Sequence, residues 1–135
     1  MHTWWVITLK LPHFYKQTSC IMSIVLGGQP HGLQRNLGKS VCGLCGNRED
    51  ASQVVFDCIE LNDIRNCKIV RVYENMPNAM RLSIEGMSIR EKAVFFLSPL
   101  KSKYVLEWDD IYKSIASFVF EIYKERAKKY DDIVK

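Results

Sequence analysis

The stretch from Trp108 to Ile122 constrains this chain more than any other. Trp108, Ile111, Ile115, Phe118 and Ile122 recur every three or four residues, and Tyr112 and Val119 broaden the same stripe. That spacing lays them along one face of an α-helix. Asp109 and Asp110 stand at its start, with Lys124, Arg126, Lys128 and Lys129 near its end, and both placements complement the helix dipole. Glu125 and Lys129 are four apart, a spacing that pairs them on the helix surface. An apolar stripe of this length has to be covered, and burial in the chain's own core is the expectation. The expected fold class is mainly α, with a long C-terminal amphipathic helix.

Upstream elements are shorter. Pro12 suits a first helical turn, and Phe14, Thr18, Ile21, Met22 and Val25 then share a face, with Gly27-Gly28 as the stop. Cys20 lies among the apolar neighbours of this helix and is read as inert. A loop is expected from Gln29 to Lys39. Val54, Cys58 and Leu61 have helical spacing, with Asp50 as N-cap. Residues 67 to 75 fit a strand and a helix equally, because neither alternating face is cleanly apolar. Pro77 breaks any element there, and Ser88 caps a short helix through Ala93, Phe96 and Leu97 that ends before Pro99. No internal repeat divides the 135 residues, so one domain is expected, with parts at 1–40, 41–66 and 67–135.

Composition narrows the function classes. A hydrophobic content of 47% suffices for a real core and argues against general disorder. No apolar run approaches the roughly eighteen residues that cross a membrane. The start carries no basic n-region of a secretory signal, so an intracellular protein, nuclear or cytoplasmic, is expected. A net charge of +4 permits contact with nucleic acid without demanding it. The five cysteines, Cys20, Cys42, Cys45, Cys58 and Cys67, are an odd number in a chain without a secretion signal, which points to metal rather than to disulfides.

The metal reading centres on Cys42, Cys45 and Cys58. Two cysteines separated by two residues can grip one zinc ion from a tight turn whose N–H groups face the thiolates, and Gly46 permits the bend. The fourth position falls to Gln53, a poor zinc ligand; water, Cys67 or His31 are the other candidates. Three thiolates carry too much negative charge to make zinc a strong Lewis acid, so the site reads as structural rather than catalytic. The plainer alternative is that Cys42 and Cys45 are small core residues.

The spacing Cys, two residues, Cys, seven residues, Gln, four residues, Cys resembles the C-terminal zinc knuckle of insect-type, jockey-like non-LTR (LINE) retrotransposon reverse transcriptases, which have His where Gln53 stands. The flanks are similar in order: Trp4-Trp5, Leu11-Pro12, a helix to Leu26, His31-Gly32, Gly38, Glu49-Asp50, Phe56-Asp57, and a final helix from Ile111 to Lys129. Family members carry arginines just before the His-Gly loop, and Cys20 to Leu26 has none. The resemblance implies a small helical domain around a zinc-knuckle-like Cys segment, zinc at Cys42, Cys45 and Cys58, and weak contact with RNA or DNA through His31, Arg35, Lys39 and Arg48.

No polymerase-type pair of aspartates on a hairpin is present, and no carboxylate set for ribonuclease H. No nucleophile, base and orienting group assemble into a catalytic site. The expectation is therefore a non-catalytic nucleic-acid-binding tail, a fragment or relic of such an element. The alternative is a structural or protein-interaction module that uses the last helix to meet a partner.

Overall fold

The computed structural model describes residues 13, 15–25, 42, 44–46, 52–97 and 109–134. These form five α-helices, α1 (Tyr15–Val25), α2 (Asn62–Glu74), α3 (Asn78–Glu85), α4 (Ile89–Leu97) and α5 (Asp109–Val134), together with a π-helical turn (Gln53–Asp57) and a 3-10 turn (Ile59–Leu61). No strand occurs among the described residues, so the chain is mainly α. Residues 67–75, equally compatible with a strand, lie in helices: α2 runs to Glu74, and Asn75 closes it. The Asn75 side chain donates to the Arg71 carbonyl at 2.8 Å, which satisfies one of the acceptors that a helix end leaves open.

The 26 residues of α5 form a rod about 39 Å long at 1.5 Å per residue. The rest of the fold gathers against it: α1, α2, the π turn and the 3-10 turn all pack on α5. Ile111, Tyr112, Ile115, Phe118, Val119 and Ile122 are buried, as the stripe predicted, and Ala116, Tyr123 and Ala127 join them. The stripe is thus covered by this chain's own α1 and α2. Arg126 departs from its basic neighbours at the end of this helix. It is fully buried, with its guanidinium 5.8 Å from the Tyr123 ring, while Lys124 and Lys128 stay exposed.

From α1, Thr18, Cys20, Ile21 and Ile24 enter the core. The Gly27-Gly28 stop, the loop from Gln29 to Lys39, Asp50 and Trp108 lie outside the described residues. Pro77 does break α2's continuation, but it also opens α3, a helix that the sequence did not announce. Ile84 of that helix is buried and Met80, one turn before it, packs on the core, but Leu82 is 65% exposed, and eight residues carry too few apolar positions to announce the helix. At α4 the expected cap is a full capping box: the Glu91 N–H donates to Ser88 Oγ at 3.2 Å, and the Ser88 N–H donates to the Glu91 carboxylate at 3.3 Å.

The π turn is tied down by aromatic rings. Phe56 meets Phe96 of α4 edge-on at 5.0 Å, Phe96 meets Phe118 of α5 at 5.5 Å, and Phe56 lies 6.0 Å from Phe118. Edge-on pairs at these distances are favourable, and this triangle holds the turn that carries Gln53.

Candidate metal centre

The sulfur atoms of Cys42, Cys45 and Cys58 lie within 4.8 Å of one another, a group that could hold one metal ion. Cys42 and Cys58 are 3.9 Å apart across sixteen residues of sequence. Each is buried, and Cys45 is partly exposed.

The first half of the site is the turn through Leu44 and Cys45. The Gly46 N–H closes it on the Cys42 carbonyl at 2.9 Å, and Gly46 has φ +82°. A side chain there would meet no neighbour but would be strained by the backbone, so glycine serves conformation rather than space. The backbone N–H groups of Cys45 and Leu44 point at the Cys42 sulfur. Burial alone would raise the Cys42 thiol. Those N–H bonds, with the Cys45 and Gln53 side chains, outweigh it and bring the thiol below its ordinary value.

The second half is the π turn and its exit. In place of the α-helix expected from Val54, Cys58 and Leu61, one wide turn closes from the Cys58 N–H to the Gln53 carbonyl at 2.7 Å. Its five-residue hydrogen bond stacks position 53 over position 58, which an α-helix would not do. The 3-10 turn follows, and its Glu60 N–H meets the Cys58 sulfur. Burial still pushes the Cys58 thiol up to about 12, and the charges of Cys42 and Cys45 add to the rise.

Gln53 reaches the cluster from the wide turn. It is buried, and its Nε2 donates to Cys45 Sγ at 3.0 Å. A residue chosen from spacing alone therefore does face the sulfurs, as a hydrogen-bond donor. Cys67, the other candidate for the fourth position, is exposed on α2 and is not part of the cluster. His31, Arg35, Lys39 and Arg48 lie outside the described residues.

Sequence reasoning missed Arg65. It lies on α2, only 6% exposed, and its guanidinium donates to the carbonyls of Val55 at 2.7 Å, Cys58 at 3.0 Å and Val54 at 3.4 Å, and to Asn62 Oδ1. A single wide turn leaves its carbonyls without helical partners, and this planar fork supplies them. Burial lowers the guanidinium from its ordinary value, while the charges of Cys58 and Asp57 pull the other way. The available signal was an arginine placed among apolar positions, Leu61 and Ile69 on either side, rather than in a basic run.

A second feature is a groove of about 390 Å³ between α2 and α5, lined in part by Lys68, Arg71, Lys113, Asp110 and Glu121. No described helix is long and apolar enough to cross a membrane. No family model matches the chain, and neither a curated protein nor a solved structure matches it.

Proposed function

We propose that the chain is a non-catalytic accessory module that holds one zinc ion at Cys42, Cys45 and Cys58 and binds RNA or DNA weakly. On the resemblance of its cysteine spacing, it derives from the tail of a non-LTR retrotransposon reverse transcriptase. The observation that carries this reading is the convergence of the three thiols with Gln53 at their side. Thiolates roughly 2.3 Å from a tetrahedral zinc stand about 3.8 Å from one another. The 3.9 Å between Cys42 and Cys58 fits that distance before any ion is added. N–H groups on the Cys42 sulfur bring that thiol below its ordinary value, and thiolates suit zinc. Held there, zinc would tie the turn at Leu44 and Cys45 to the π turn and so support the fold.

Affinity for nucleic acid would come from Lys and Arg on phosphates and would fall as salt rises. Two surfaces are candidates. One comprises His31, Arg35, Lys39 and Arg48, which flank the cysteine pair in sequence, and the other is the groove with Lys68, Arg71 and Lys113. A labelled single strand and a duplex should be titrated at low and at physiological salt. Wild type is compared with Arg35, Lys39 and Arg48 changed to Ala, and with Lys68, Arg71 and Lys113 changed to Ala. The expected result is low-salt binding with about two to four phosphate contacts by the salt slope, weakened by at least one triple change. Undetectable binding at low salt would end the nucleic-acid reading. The interaction-module reading would then gain, resting on Leu82, Ile89 and Val94, which are exposed on α3 and α4.

A further inference from the structure

Three thiolates are an expensive set to hold inside a protein. With a divalent ion they leave one net negative charge, and a buried charge needs a partner. The exposed neighbours make the balance worse, since Asp57, Glu60 and Asp63 are all acidic. Among the described residues, a cation lies against this segment: Arg65, which donates to the Cys58 carbonyl at 3.0 Å. It is also held by the Val54 and Val55 carbonyls and by Asn62, so it is fixed in place rather than swept through solvent.

We propose that Arg65 is the internal counter-ion of the thiolate cluster, matching the site to a divalent thiophilic cation. Three thiolates, one guanidinium and one divalent ion sum to zero. The inference rests on the metal reading above and adds to it the charge class of the ion and the residue that sets its affinity. Arg65 touches no metal position. It acts through Cys58, by charge and by fixing the turn that presents that sulfur.

Two substitutions separate charge from shape. Arg65→Lys keeps the charge and loses the fork, and Arg65→Gln loses both. Zinc affinity is measured on the full chain by chelator competition for wild type and both variants. Cobalt(II) absorption then reports whether the thiolate ligands are unchanged. Changes in the residues that support metal ligands typically cost 10–100-fold in affinity. The expected order is wild type, then Lys, then Gln, with Gln about tenfold or more weaker than Lys. The thiolate-to-cobalt band of the Lys variant should match that of wild type.

The outcomes are distinguishable. A wild type that binds no zinc removes the metal reading and this inference together. A wild type that binds zinc while Lys and Gln are equally weak overturns the counter-ion alone, because the fork and not the charge would then matter. Gln binding as tightly as wild type overturns it as well. Because zinc is present throughout, a variant that folds only with metal is counted in its affinity.

Discussion

At the scale of single residues, the chemistry turns on which group meets the sulfurs. Gln53 donates to Cys45 from the position where an imidazole would complete a tetrahedral site. Gln53→His should therefore raise zinc affinity, since a nitrogen ligand replaces a hydrogen bond and binding energy becomes folding energy. Chelator competition on both forms checks this, and equal affinities would show that position 53 does not reach the metal. Cys20 offers a test of burial alone. In the fold its thiol is pushed up to about 12 from 9.0 by desolvation. Below pH 9 both folded and unfolded chains keep this proton, so it adds no pH dependence. Between pH 9 and 12 the unfolded chain releases a proton that the fold must retain, and stability falls. Alkaline unfolding curves for wild type and Cys20→Ala should differ in slope over that window, with the variant flatter. Parallel slopes would place the thiol in water.

Helices differ in how openly the sequence declares them. The stripe of α5 and the capping box of α4 were legible because each rests on a local rule, period 3.6 in one case and Ser-x-x-Glu in the other. Phe118 sits where these elements meet, against Phe96 and Phe56. Phe118→Ala should cost about 3–5 kcal/mol in a denaturant titration, as for other buried rings. A loss near zero would mean that the stripe is not the core. Hidden in the sequence were the features set by tertiary contact. α2 carries Arg65 and Val72 inward on an otherwise polar surface, so its periodicity is faint. α3 buries little beyond Ile84. The π turn is invisible to propensity because its two supports are distant: the Phe56, Phe96 and Phe118 triangle and the Arg65 fork. The three clustered cysteines could be named from their spacing, but the cation bonded to the Cys58 carbonyl could not, since its place depends on how α2 folds back.

For the molecule as a whole, one feature of α5 has a temporal side. The π and 3-10 turns on either side of Cys58 lean on a helix made long after them. Cys58 precedes Ile122 by 64 residues. At about 5–20 residues per second on the ribosome, the nascent chain carries Cys58 for about 3–13 s, and Cys42 and Cys45 for longer, before that helix has been made. During that interval the thiols are open to solvent, to metal and to oxidants. A stop anywhere before α5 would leave α1, α2 and the two turns around Cys58 without the surface they pack on.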